Sequence, residues 1–253
     1  MNNNHFTYSP SPSNKNRVYY IMYKKEEISI DSSHIHLTTD IRNVDLKPYI
    51  KKQRRIIQDE INRNINFNGF KPVDLIDSER ILYLMTRAGI ISDTGPMSSV
   101  AGSISQLCME YLCNYNTKHT IIENGGDISL KTNKDCIISI YAGESSLSEN
   151  MGLKIGKKKN GYGICTSSGT FGPSKSFGVC DACIVLSGEA SISDALATSI
   201  ANKANGEDDE AIVNNALEYA EDFKEYYDCT IIIKNDMIAK IGRMPKLVNI
   251  ELE

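Results

Sequence analysis

Residues 178–205, GVCDACIVLSGEASISDALATSIANKAN, decide how this chain folds. They open with an apolar run of strand length at 182–186, and a turn follows at Ser187-Gly188-Glu189. Apolar and small residues then recur at helical spacing. These residues are Ile192, Ala195, Leu196, Ser199 and Ile200. The pattern predicts a buried strand that leads directly into a helix packed by one face.

Asp194 and Thr198 are four residues apart on this predicted helix, so their side chains share one face, one turn apart. A carboxylate and a hydroxyl placed in this way are hard-oxygen ligands suited to a divalent cation such as Mg²⁺. Two simpler explanations apply to the pair taken alone. The helix dipole favours Asp in a first turn, and Thr can hydrogen-bond to its own backbone. The pair is therefore a candidate metal site that needs support from other segments.

Composition limits the classes of partner. The chain has 253 residues, of which 41% are hydrophobic and 24% charged, as in ordinary globular proteins with a sizeable core. A net charge of −4 and a pI near 5.7 argue against a nucleic-acid-binding surface. No apolar run reaches membrane-spanning length. We therefore expect neither nucleic acid nor a membrane as a partner.

The first residues and the cysteines bear on domain organisation and location. Residues 1–16, MNNNHFTYSPSPSNKN, lack the apolar core and the cleavage site of a signal peptide and are predicted to be a disordered lead. Residues 17–253 are expected to form a single domain. The seven cysteines are an odd number, which favours free thiols over a disulfide scaffold. These features together predict a cytoplasmic protein.

The rest of the chain mixes helical and strand patterns. Helices are expected at 45–65, 77–88, 98–113 and 207–223, with Ser78 as a cap. Hairpins are expected around 24–27, 160–161 and 235–236. The basic run at 51–55 is interpreted as a solvated helix face. Because several strand pairs are hairpins, we predict an α+β fold with largely antiparallel sheets and packed helices.

Three turns outside the 178–205 segment offer backbone donors to an anion. They lie at a Gly-Pro helix start, at a Gly-Gly pair that allows positive φ or a close backbone approach, and in a Gly/Ser/Thr-rich loop with one lysine. Close helix packing, an ordinary hairpin and a plain loop are the simpler explanations. The candidate ligand-binding residues are Gly95, Asn124, Gly125, Gly126, Asp127, Thr166, Ser167, Ser168 and Gly169.

Three cysteines raise the question of thiol chemistry. Cys165 falls in the Gly/Ser/Thr-rich loop, whose N–H groups would lower the pKa of its thiol, and it is the candidate catalytic nucleophile. Cys180 and Cys183 have the C-x-x-C spacing used in redox, persulfide or metal chemistry. In a strand, however, these two side chains point to opposite faces, so Cys183 is expected in the core.

Four segments occur in a fixed order along the chain, at residues 93–102, 123–127, 165–169 and 193–198. Together they resemble the UPF0280 family of the ApbE-like superfamily, whose best-known members are FAD:protein FMN transferases, and the resemblance spans residues 17–241. It implies an ApbE-like fold in which Asp194 and Thr198 hold magnesium or a similar ion beside the pyrophosphate of FAD or FMN. Gly125 and Gly126 match the Gly-Gly turn of the superfamily.

Two departures from the flavin transferases affect the expected activity. Those enzymes carry a stretch of the form H-x-x-D-P-x-T-G, whereas residues 172–178 here read GPSKSFG, without histidine or carboxylate. Ser98 and Ser99 also stand where those enzymes have a lysine. The resemblance therefore implies the fold and the metal pair, but not FMN transfer to a protein threonine.

Three classes of function follow from these observations. The first is a transferase-like enzyme that acts on a flavin or another small phosphate-bearing ligand. The second is a sulfur-assimilation or sulfur-transfer protein that uses its thiols. The third is a non-catalytic binding protein that keeps the cleft.

Overall fold

A computed structural model describes residues 23–142, 145, 151–168 and 178–250 of the chain. The predicted lead at residues 1–16 lies outside this part. The strands are β1 (Lys24–Ile30), β2 (Ser33–Thr39), β3 (His119–Asn124), β4 (Asp127–Thr132), β5 (Cys136–Ser139), β6 (Met151–Ile155), β7 (Lys158–Ser167), β8 (Ala182–Ser187), β9 (Cys229–Lys234), β10 (Met237–Gly242) and β11 (Lys246–Asn249). The helices are α1 (Lys47–Arg63), α2 (Arg80–Ser92), α3 (Val100–Cys113), α4 (Ala190–Ala201) and α5 (Asp209–Glu221).

The strands form two sheets. The larger sheet has the order β1-β2-β3-β4-β7-β8-β9-β10, and a smaller one has the order β11-β6-β5. Every pairing in both is antiparallel. This topology confirms the predicted α+β class. It also confirms the hairpin around Asn235-Asp236, which joins β9 to β10.

Strand β8 is buried on both faces, which explains its unbroken apolar run. Ala182, Ile184 and Leu186 belong to the core between the two sheets. Cys183 and Val185 point the other way, into the core beneath the helices α4 and α5. Because successive side chains alternate between the two faces, each residue of the strand contributes to one core or the other.

The helices cover the face of the larger sheet that the smaller sheet leaves free. Helices α1 to α3 pack over β1, β2 and β3 around a core that includes Phe67 and Met85. Helix α4 lies centrally, against α2, α3, β7 and β8. Every residue of α4 except Thr198 is buried. Among the described residues, no helix combines the length and the apolar character required to cross a bilayer.

Two predicted hairpin turns are wrong because pairing in the sheet takes up their residues. Residues 24–27 lie inside β1, and the turn to β2 falls instead at Asp31-Ser32, where Asp31 has φ +50°. Residues 160–161 lie inside β7, opposite a register shift in β4, while β6 belongs to the other sheet. The Asn-Gly pair therefore forms part of a bulge.

The predicted cap Ser78 makes no capping bond, since α2 starts at Arg80 after Glu79.

Candidate functional site

The N-terminus of helix α4 is held by a side chain from another helix. Its own N-cap residue, Glu189, makes no side-chain capping bond. Gln106 of α3 fills this role, because its Oε1 accepts from the Ser191 backbone N–H at 3.0 Å and from the Ser191 hydroxyl at 2.9 Å. An otherwise unpaired donor of the first turn is thereby satisfied. This fixes the start of α4, which carries Asp194, against α3.

Asp194 is set by the close approach of α3 to α4. The Gly102 backbone N–H donates to Oδ2 of Asp194 at 2.8 Å. A Cβ at Gly102 would lie 2.5 Å from the Ala190 carbonyl oxygen and 2.7 Å from the Asp194 Cβ, so only glycine fits. The small residue at this position of α3 therefore serves close helix packing. The same packing leaves the Asp194 carboxylate buried, with 8% exposure.

A second buried carboxylate lies beside the first. Asp127 is also 8% exposed, and its Oδ1 is buried without a hydrogen-bond partner in the described part of the chain. Burial raises the pKa of Asp194 to about 7. Burial and the charge of Asp194 hold the pKa of Asp127 well above its ordinary value, and contacts from Cys165 and Thr166 offset part of this effect. Two neighbouring carboxylates without a cation form an electrostatically strained pair.

These carboxylates line a cleft with two lobes. Asp127, Asp194 and Thr198 line both lobes. Met97, just before α3, and Val100 and Ala101, in the first turn of α3, also line both. The first lobe, about 520 Å³, extends towards α1 and the turn between β1 and β2. The second lobe, about 680 Å³, extends towards the ends of α2 and α4. The candidate metal pair therefore lies where the two lobes meet.

Most of the residues predicted to bind a ligand line this cleft. Those in the first lobe are Asn124, Gly125, Asp127, Thr166, Ser167, Ser168, Asp194 and Thr198. Gly95 lines the second lobe. Gly126 lies in a neighbouring cavity between the two sheets, of about 650 Å³. Gly169, like the rest of the segment 169–177, lies outside the described residues.

The glycines in the cleft are required by the backbone. Gly125 and Gly126 have φ values of +65° and +98° and form the two-residue turn between β3 and β4. A Cβ at Gly126 would find Thr166 O, its nearest neighbour, at 4.0 Å, so positive φ and not close approach demands glycine there. At Gly95 a Cβ would lie 1.8 Å from the Gly69 carbonyl oxygen, so that glycine serves close packing.

Cys165 differs most from its prediction. It lies inside β7, paired with Asp127 and Val185, so it is not part of an open loop. The thiol is fully buried and its Sγ contacts the Ala190 carbonyl oxygen at 3.3 Å. Burial, followed by the charges of Asp127 and Asp194, raises its pKa well above the ordinary value. The predicted lowering of this pKa is wrong, because strand pairing uses the amides that were expected to stabilise a thiolate.

The C-x-x-C pair is also buried. Both Cys180 and Cys183 have no exposed surface, and the placement of Cys183 in the core is confirmed. Burial raises the pKa of the Cys183 thiol well above its ordinary value. The buried thiols give no support to a sulfur-transfer function.

Sequence reasoning missed the basic residues of the cleft. Arg54 lines the first lobe, although the run at 51–55 was interpreted as a solvated face. Lys71 and Lys203 line the second lobe. A signal for Arg54 was present, because it has helical spacing to Ile57 and Ile61, which line the same lobe.

Comparison with known proteins places the chain in a family. A family model described as AbpE bacteria matches residues 24–230. A UPF0280 protein from Methanosphaera stadtmanae is 52% identical over 226 residues, covering 89% of this chain and 92% of that protein. The chain belongs to the UPF0280 family. A second UPF0280 protein, from Methanobrevibacter smithii, is 40% identical over 229 residues, with 89% and 96% covered.

The fold of this UPF0280 protein is that of ApbE. The flavinyl transferase ApbE of Pseudomonas stutzeri superposes with a TM-score of 0.57 at 10% identity, covering 89% of this chain and 96% of that one. The ApbE protein of Thermotoga maritima gives 0.58 at 11% identity, with 86% and 96% covered. The predicted ApbE-like fold is confirmed, and at these identities the likeness concerns the fold alone.

Proposed function

We propose that this UPF0280 protein binds FAD, FMN or another small phosphate-bearing ligand through a divalent cation held by Asp194 and Thr198. One observation carries the proposal. The Oδ1 atom of Asp127 is buried and has no hydrogen-bond partner among the residues that the structure describes. It lies beside a second buried carboxylate, in a cleft large enough for a ligand. A bound cation would neutralise both carboxylates and give the unpaired oxygen a partner.

The donor set suits Mg²⁺. Within the described residues no group of three or more His, Cys, Asp or Glu side chains is arranged to hold a metal, so an all-protein cage is not expected there. Mg²⁺ is usually held by one or two carboxylates, with waters and substrate phosphates completing its shell. Asp194, Asp127 and the Thr198 hydroxyl fit that pattern. A bound Mg²⁺ would orient phosphoryl oxygens and withdraw charge from them.

The cleft geometry supports a ligand with a central phosphate. The residues proposed to hold the cation lie where the two lobes meet. A pyrophosphate at that point would extend one arm of its ligand into each lobe. Thr166, Ser167 and Ser168 line the wall of the first lobe, and the Thr166 and Ser167 hydroxyls offer donors to the phosphates. The flavin class is supported by a relative that shares the fold, the flavinyl transferase ApbE of Pseudomonas stutzeri.

The proposal does not extend to FMN transfer. Residues 172–178, GPSKSFG, have neither the histidine nor the carboxylate of the corresponding stretch in flavin transferases. The buried Cys165 thiol, with its raised pKa, is not a substitute nucleophile. We therefore propose that the protein binds the ligand, and we propose no chemical step on it.

Calorimetry and thermal unfolding test this proposal. FAD, FMN or ATP at millimolar concentration should raise the melting temperature, and more so with Mg²⁺ present. Asp194→Ala should weaken Mg²⁺ binding by about tenfold or more, because the cation loses a charged ligand. Asp93→Asn is the matched control, because Asp93 is an exposed carboxylate of the second lobe, outside the metal pair. The proposal is wrong if none of these ligands shifts the melting curve, or if Asp194→Ala leaves Mg²⁺ affinity unchanged.

A further inference from the structure

One wall of the first lobe carries a cationic cluster made of Arg54 from α1 and two serines at the turn between β1 and β2. The Arg54 Nη1 donates to Ser33 Oγ at 2.6 Å, and its Nη2 donates to Ser32 Oγ at 3.3 Å. Its Nε donates to Asp31 Oδ2 at 3.3 Å. Ser33 is only 4% exposed, so the guanidinium is oriented by a buried residue.

Several hydrogen-bond donors of this cluster are not used by contacts within it. A guanidinium has five N–H donors, and the contacts with Asp31, Ser32 and Ser33 use three of them. Both serine hydroxyls accept from Arg54, so their own hydrogens are left to donate elsewhere. Within the part of the chain that the structure describes, two N–H groups and two hydroxyl hydrogens therefore remain to meet an anion.

The positive charge of Arg54 is only weakly compensated. Its acidic partner, Asp31, has a side chain with 77% exposure, whereas that of Arg54 has 25%. Exposed ion pairs of this kind are weak. The contact with the turn explains how Arg54 is oriented, and leaves most of its charge available to the lobe that it lines.

The register of the sheet separates this cluster from the metal pair. Asp127 on β4 pairs with Asn124 on β3, which in turn pairs with Ile35 on β2. Two strand spacings amount to about 10 Å, and Ser33 lies two residues further along β2. The backbones of Asp127 and Ser33 are therefore more than about 10 Å apart, which is further than the oxygens of a single phosphate span.

We propose that Arg54, with Ser32 and Ser33, binds a second anionic group of the ligand, a phosphate or a carboxylate separate from the phosphate at the cation. This inference rests on the proposed function. Among the phosphate-bearing ligands named there, it favours molecules with a diphosphate and a further anionic group on one arm over FAD and FMN, which lack that further group. Arginine suits this task, because its planar fork matches the oxygens of both kinds of anion.

Two pairs of ligands provide the test. NAD⁺ and NADP⁺ differ by one phosphate remote from the pyrophosphate, and so do dephospho-coenzyme A and coenzyme A. In calorimetry with Mg²⁺ present, the protein should bind the member with the extra phosphate roughly tenfold tighter or more in at least one pair. Arg54→Gln should bring the ratio of the two dissociation constants close to one, without weakening the binding of the member that lacks the extra phosphate. Arg55→Gln, an exposed neighbour in the same basic run, should keep the ratio.

The outcomes separate this inference from the proposed function. Mg²⁺-dependent binding of FAD without a preference in either pair, or a preference that survives in Arg54→Gln, overturns the inference alone. Failure of all the diphosphates to bind overturns both. If Arg54→Gln does not fold, Arg54→Lys replaces it. Lysine keeps the positive charge but lacks the planar set of N–H donors of the guanidinium. Arg54→Lys should therefore reduce the ratio of the two affinities, and an unchanged ratio contradicts the inference.

Discussion

The Gly102 backbone N–H donates to the Asp194 carboxylate at 2.8 Å, where α3 lies in close contact with α4. The same glycine leaves no room for a side chain, since its Cβ would meet both the Ala190 carbonyl and Asp194 itself. One residue thus sets the distance between two helices and the position of the proposed cation ligand.

Gly102→Ala should therefore destabilise the protein and displace Asp194. The added methyl would lie 2.5 Å from the Ala190 carbonyl oxygen, and overpacking of this kind costs about 1–3 kcal/mol. Urea unfolding measures the change in free energy. Gly161→Ala is the control, because nothing lies within 4 Å of a Cβ there. Equal stability of the two variants would contradict the close packing described for α3 and α4.

Asp127→Asn should stabilise the cation-free protein and weaken cation binding. The substitution replaces a buried carboxyl, whose ionisation is opposed by burial and by the charge of Asp194, with an uncharged amide, and we expect a gain of about 0.5–2 kcal/mol, the usual range of stabilising substitutions. Unfolding at pH 8 with a chelator, and then with Mg²⁺, measures both effects. The wild type should gain more from Mg²⁺ than the variant does.

Asp181→Asn is the matched control for this change, and it should lower the stability of the cation-free protein instead of raising it. Asp181 is equally buried, but its carboxylate accepts from the Asn235 backbone N–H at 2.6 Å and pairs with Lys234 at 3.3 Å. Its neutralisation leaves Lys234 without that partner. If both variants lose stability without a cation, Asp127 is not electrostatically strained.

Cys165 should resist alkylation in the folded protein. Its thiol is fully buried and its pKa is raised well above the ordinary value, so both access and thiolate are lacking. Iodoacetamide labelling at pH 8, followed by mass spectrometry, should modify Cys113 and Cys136 first, since both are partly exposed. Labelling of Cys165 at the rate of these two would return it to the list of candidate nucleophiles.

His119 should lower the stability of the folded protein as the pH falls below about 6.5, in opposition to Asp127 and Asp194, whose raised pKa values favour the folded state in acid. Its ring is buried and contacts the Thr132 hydroxyl at 2.8 Å, and burial, followed by the charge of Lys134, lowers its pKa. The unfolded state therefore takes up a proton at a pH where the folded state does not, and acid favours unfolding.

His119→Gln should remove this contribution, so the stability of the variant relative to the wild type should rise as the pH is lowered from 7 to 5, as measured by urea unfolding at several pH values. His36→Gln is the control, because the His36 ring lies largely in solvent. A constant difference in stability between His119→Gln and the wild type across this range would contradict the role given to His119.

Local patterns in the sequence determined several features of the protein. The change from an apolar run to helical spacing predicted β8 and α4, and placed Asp194 and Thr198 on one face of the helix. Both residues do line the cleft. Such features are local, because the period of the side chains depends only on the backbone conformation of neighbouring residues.

Tertiary structure decided the chemistry of individual side chains. Cys165 became a buried strand residue because β4 and β8 pair with β7 on either side. Arg54 lines a lobe because the turn between β1 and β2 folds against α1. The pKa of Asp127 is raised by burial and then by the charge of Asp194, which lies 67 residues away in the chain. Burial and charge–charge contacts depend on which distant segments meet in space, and the spacing of residues along one segment carries no record of those partners.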